Sequence, residues 1–341
     1  MADALLSPAV GGGVWAATGA TLAWSARQLS RRLDDRKVPL MGVLGAFIFA
    51  AQMVNFTIPG TGSSGHLGGG MILAVLLGPH AAFLAMASIL TVQAFFFADG
   101  GLLALGCNIL NLGFIPAFIA YPLLFRPIAG RAPTPGRLTT ASLLSAVVAL
   151  QLGAFGVVLQ TALSGISELP FRTFVMVMQP IHLGIGVVEG LVTAAVISFV
   201  WRARPEVLGT ASPGQATGAG ATRTALLGLA GAALLTGGIL SWFASSNPDG
   251  LEWAIARVTG GRGPGAAAGV HDSLAAVQRK TSLLPGYGFR ETGRAEGAPE
   301  ATAAWPAPDA GTSLSGVAGG LITLLVAAGV GWLLRRKRPA A

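Results

Sequence analysis

The chain has 341 residues, 52% hydrophobic and 11% charged, with a mean hydropathy of +0.66. Soluble domains carry about 25% charged residues, so an ordinary soluble enzyme and a disordered chain are both excluded, and lipid is the expected solvent. The formal charge of +8 raises nucleic acid as a partner, but the positions of the basic residues assign that charge to membrane topology.

A bilayer crossing needs about 20 predominantly apolar residues. Nine apolar runs are candidates: 10–26, 38–57, 68–79, 81–98, 102–125, 138–163, 176–201, 223–244 and 314–334. The third is short and Gly-rich. The chain holds 49 glycines, which suits closely packed membrane helices. No signal peptide is visible, because the basic residues follow the first apolar run. Arg27, Arg31, Arg32, Arg36 and Lys37 follow run one, and Arg126, Arg131 and Arg137 follow run five. Arg202, Arg204 and Arg223 separate runs seven and eight, and Arg335, Arg336, Lys337 and Arg338 follow run nine. Fifteen of the 22 basic residues therefore lie in four segments that alternation puts on one side. The positive-inside rule makes that side cytoplasmic and the N-terminus external.

Residues 205–222 are rich in Pro, Gly, Ser, Thr and Ala and read as a linker. They divide the chain into 1–204, with about seven spans, and 223–341, with two spans joined by a long external segment, 245–313. No internal repeat of the kind used by many secondary transporters is visible. The fold class expected is all-α and polytopic, seven helices followed by a two-helix module.

This topology gathers unusual residues at the external face: Met1, Asp3, the loop Asn55–His66, Asp99 and His182. His66 lies in a glycine-rich stretch, Gly60 to Gly70. Its neutral imidazole suits nickel, cobalt, copper or zinc, and capping of an irregular loop explains it equally well. His182 and Glu189 are seven residues apart on one span, near one helical face. Ionisable groups inside a span are functional candidates, and a packing pair is the alternative. His80 at a cytoplasmic turn reads as structural, His271 in the long loop as solvated, and the single Cys107 as a small packing residue. Gly62-Ser63-Ser64-Gly65 spells the Gly-x-Ser-Gly pattern of intramembrane serine proteases, which with His182 as base gives a second reading. An ATP-independent ion carrier or channel is a third.

Several motifs, in this order, resemble the M-type substrate-capture subunit of cobalt/nickel energy-coupling-factor transporters. They are Met1 to Pro8, Gln52 to Phe56, Ser64 to Gly70, Gln93-Ala94, Asp99 to Gly106 with Asn108 and Asn111, and His182 with Val187 to Gly190. Asn247-Pro248-Asp249-Gly250-Leu251-Glu252-Trp253 resembles the Pro-Asp-Gly-Leu-Glu signature of the small N-type companion subunit. The resemblance implies an S-component-like bundle fused to that companion, in the cytoplasmic (inner) membrane. It implies capture of Ni²⁺ or Co²⁺ from outside, with no tightly bound cofactor. A transmembrane coupling subunit and two cytoplasmic ATPases are the implied partners; no Walker A motif is present, so ATP hydrolysis is expected on those partners, and the resemblance implies a transporter component, not an enzyme. The implied metal donors are the Met1 amine and His66. The family commonly has His at position two, where this chain has Ala2, so a His upstream of Met1 is expected if the start is misassigned. Asp3 and His182 are the substitutes otherwise. Asp249 and Glu252 are candidates for loading cations, and capping of a helix with Asn247 as N-cap and Pro248 at N1 is their structural role.

Overall fold

The structure is a computed structural model that describes residues 1–32, 37–167, 169–203, 219–261, 269–289 and 305–336. The expected linker falls mostly outside these residues, as do Arg36, Arg204, Lys337 and Arg338. Helices dominate: α1 (Pro8–Arg32), α2 (Lys37–Gln52), α3 (Gly70–Leu77), α4 (Pro79–Phe97), α5 (Leu105–Ala129), α6 (Pro135–Ser164), α7 (Phe171–Ala203), α8 (Ala219–Gly238), α9 (Gly250–Thr259), α10 (Val270–Thr281) and α11 (Ala310–Arg336). Two short strands, β1 (Phe56–Ile58) and β2 (Ser63–Gly65), form an antiparallel hairpin between α2 and α3. Each of the nine apolar runs coincides with a helix. Among the described residues five of these helices, α4, α5, α6, α7 and α11, are long and apolar enough to cross a membrane.

The third run does not make a full crossing by itself. α3 has eight residues, about 12 Å at 1.5 Å per residue, against a hydrocarbon core of about 30 Å. The glycine-rich segment before it is non-helical and packed inside the bundle, the setting in which irregular backbone is tolerated at membrane depth. The turn after α3 sits at the basic end: Lys37 Nζ donates to the Leu77 carbonyl at 3.1 Å, and His80 Nδ1 lies 3.4 Å from Ser25 Oγ. His80 also packs edge-on to Trp24, so its structural reading holds.

Glycines set the helix spacing. A Cβ on Gly186 would lie 3.0 Å from Val147 Cα, and one on Gly190 2.7 Å from Leu143 Cα. This small-residue pair therefore serves the α6–α7 crossing within the chain. α8 and α11 meet at Gly237 and Gly316, and α11 packs along Gly42 and Gly45 of α2. The C-terminal hairpin thus lies against the first part of the chain. α5 is wound as a π-helix from Leu110 to Phe125, and Pro116 and Pro122 within it lack N–H donors.

Candidate functional site

The N-terminal segment is pinned at the end of the bundle opposite the basic residues. Leu5 and Leu6 are fully buried. Ser7 Oγ accepts the Val10 N–H at 3.4 Å ahead of Pro8, which begins α1. Asp3 Oδ1 accepts the Ala104 N–H at 2.8 Å, and the Met1 carbonyl accepts the Gly101 N–H at 3.2 Å. Gly101 leaves no room for a side chain, since a Cβ there would fall on the Asp3 carboxylate. Asp3 is thus an anchor for the segment that carries Met1.

His66 is held from below. The two carboxylate oxygens of Glu189, which is 3% exposed, accept the N–H groups of Gly68 at 2.7 Å and Gly69 at 3.1 Å. Gly69 has φ +74°, and this left-handed turn points the two amides the same way. The Gly68 carbonyl accepts from Gln52 Nε2 at 2.9 Å, and Gln52 Oε1 accepts from Gln93 Nε2 at 2.8 Å. The polar groups of this buried loop are therefore paired, as buried backbone requires.

Above the loop lies a chamber of about 130 Å³ whose lining includes Met1, His66, Gly68, Asn108, His182 and Asp249. His66 Nδ1 lies 3.1 Å from the Leu67 carbonyl oxygen, and His182 Nδ1 lies 2.8 Å from that of Met178. A carbonyl only accepts, so each Nδ1 carries the proton. In the neutral ring that tautomer leaves the lone pair on Nε2, the form in which imidazole binds metals. Among the described residues, no three His, Cys, Asp or Glu side chains group closely enough to hold an ion by themselves.

The second part of the chain covers this chamber. Ser64 N–H donates to the Pro248 carbonyl and Ser64 Oγ to the Asn247 carbonyl, both at 2.8 Å; Ser245 N–H donates to the Asn55 carbonyl at 2.8 Å. Asn247 and Pro248 thus extend alongside β2, and the N-cap of α9 is Asp249, whose Oδ1 accepts the Glu252 N–H at 2.7 Å. The expected cap is two residues too early, because the carbonyls of 247 and 248 pair with Ser64. A Cβ on Gly250 would lie 2.8 Å from Ile181 Cγ2 and 3.3 Å from His182 Cε1, so glycine lets α9 rest on α7.

Outside the chamber is a wider cleft of about 650 Å³, which shares Met1 and Asp249 with it and adds Asp3, Asp99, Glu252 and Asp272. Burial, and after it Asp249, raises the Glu252 carboxyl above its ordinary value. α10 closes one side: Gln278 Nε2 donates to the carbonyls of Ala94 at 2.9 Å and Gly100 at 2.7 Å. His271 is not merely solvated, as its place in a long loop suggests. Its Nε2 donates to the Leu6 carbonyl at 2.8 Å, a contact between residues 265 positions apart that no local pattern announces. Tyr287 stacks on Phe97 and its hydroxyl donates to Asp99.

Met1, His66, His182 and Asp249 are therefore brought to one chamber, while Asp3 and Glu252 face the cleft. Ser64 and His182 do not form a nucleophile–base pair: the buried Ser64 hydroxyl donates to carbonyls of the second part. Nor are His182 and Glu189 partners of each other. Glu189, Gln52 and Gln93 are the residues that support the His66 loop, and for Glu189 the sequence reading offered His182 as the partner. An acid inside an apolar helix was the available signal.

The family described as the cobalt uptake substrate-specific transmembrane region, CbiM, matches residues 1–207, and the PDGLE domain matches residues 223–336. A protein of Haloquadratum walsbyi assigned to metal transport is 36% identical over 210 residues, covering 61% of this chain and 92% of that protein. The fused nickel transport protein NikMN of Rhodobacter capsulatus is 36% identical over 222 residues, 60% of this chain and 62% of the relative. The match thus spans about three fifths of that fused protein. A crystal structure of a truncated transition metal transporter superposes with a TM-score of 0.53 at 27% identity, covering 59% of this chain and 98% of the other.

Proposed function

This chain belongs to the cobalt uptake substrate-specific transmembrane family and carries a PDGLE domain in the same polypeptide; from that premise we propose that it captures Ni²⁺ or Co²⁺ at the external face for import. The observation that carries the reading is the convergence of Met1 and His66 on one small chamber, beneath a segment of the PDGLE domain. The donors in this reading are the Met1 amine and the Nε2 of His66, with the Nε2 of His182 as the additional nitrogen. Nitrogen donors suit Ni²⁺ and Co²⁺ and leave the choice between them open. Asp3 acts by holding the N-terminal segment, and Asp249 and Glu252 draw cations through the cleft.

The remaining parts of the proposal follow from the chain's two unlike ends. The basic residues mark the cytoplasmic end, so N-terminus and cleft face outward in the inner membrane and the C-terminus faces inward. Residues 1–204 form the capture unit, 205–222 the linker and 223–341 the covering module, an S-component-like seven-helix unit with two further helices. The segment 245–313 works as lid or loader. Release inward uses a transmembrane coupling subunit and two ATPase subunits, which supply ATP hydrolysis that this chain does not.

The test is Ni²⁺ and Co²⁺ binding by purified full-length chain, native against His66→Ala. Loss of a direct ligand should exceed the roughly 10–100-fold that losing an outer-shell partner costs. Equal affinity of the two proteins overturns the reading.

A further inference from the structure

We propose that Glu189 is the counter-charge of the captured dication, acting across the wall of the chamber. This rests on the capture site proposed above and adds a residue to it. Glu189 lies inside α7, where an ionised side chain is costly unless something offsets its charge. Its hydrogen-bond partners among the described residues are the Gly68 and Gly69 amides. Both carboxylate oxygens accept an N–H, and a protonated carboxyl would instead need an acceptor for its own O–H. Two N–H donors, one on each oxygen, favour the ionised form.

Gly68 lines the chamber on one side, and its N–H meets Glu189 Oε2 on the other. The anion therefore sits one residue's thickness behind the loop that presents His66, too shielded to ligate but near enough to be felt in a medium of low dielectric. A metal ion with neutral nitrogen donors brings two positive charges into the bundle, and Glu189 offsets part of that charge. The Gln52–Gln93 chain fixes the loop from the other side without charge, so positioning is shared while the charge belongs to Glu189.

Charge and positioning are separable because Coulomb energy scales with ion valence. Affinities for Ag⁺ and Ni²⁺ are measured on full-length chain with Cys107→Ala, so that no thiol competes for silver, with and without Glu189→Gln. Disturbed loop geometry weakens both ions by a common factor. Loss of the charge weakens Ni²⁺ by the square of its effect on Ag⁺. The expected result is a Ni²⁺ loss about tenfold larger than the Ag⁺ loss, within the range that outer-shell partners command. Glu189→Asp keeps the charge, so its losses for the two ions should be alike. Equal losses for the two ions in Glu189→Gln overturn the proposal and leave a loop anchor, without touching the His66 result. Should Glu189→Gln fail to fold, infrared difference spectra of the native chain on Ni²⁺ loading decide. An ionised carboxylate, assigned by its displacement in Glu189→Asp, is expected; a protonated carboxyl in the metal-loaded chain overturns the proposal.

Discussion

A single methyl group at Gly101 tests whether the N-terminal segment must sit where it does. A Cβ at this position would fall on the Asp3 carboxylate and within 2.6 Å of the Asp3 main-chain nitrogen. Backbone is on the receiving side, so no side-chain rotation relieves the contact. Asp3 must retreat and give up the Ala104 N–H, a charge-assisted bond worth about 1.5–3 kcal/mol. Overpacking alone costs about 1–3 kcal/mol. Met1 is two residues from Asp3, so the segment that brings its amine to the chamber moves too. With tenfold per roughly 1.4 kcal/mol, Gly101→Ala should weaken Ni²⁺ and Co²⁺ binding by about 10–100-fold. The assay is titration calorimetry on full-length protein in detergent. The control is Gly13→Ala in α1, where nothing lies within 4 Å of the new methyl, and native affinity is expected. Native affinity in Gly101→Ala would refute the claim that the N-terminus is a positioned part of the site.

Ser64→Ala removes the hydroxyl bond to the Asn247 carbonyl, worth about 1 kcal/mol, so metal affinity should change only a few-fold; complete loss of function on this substitution would instead favour a serine nucleophile. Glu252 offers a pH test. Its raised carboxyl lets the folded chain keep a proton to higher pH than the unfolded chain, so its contribution to stability falls as pH rises above 4.5. Glu252→Gln should therefore raise the thermal midpoint relative to native near neutral pH and leave it unchanged in acid, where both are neutral. The same difference at both pH values would refute the assignment.

Composition and periodicity determined a great deal here. Each apolar run contains a helix among the described residues, and five of these helices are long and apolar enough to cross a membrane, because a polar backbone in lipid has helix as its local solution. The alternation of basic residues, the Asp3, His66 and Gly100-Gly101 motifs and the PDGLE segment were also legible, since each is a short stretch with its own chemistry. Tertiary structure alone decided what those residues touch. Asp3 turned out to anchor, Ser64 to pair with the second part of the chain, and His271 to reach Leu6. Glu189 serves the His66 loop and not His182, although the two share a helix. These are contacts between residues 101 to 265 positions apart. Their partners are chosen by which buried donors and acceptors remain unpaired once the helices have packed, and no single stretch of sequence records that remainder.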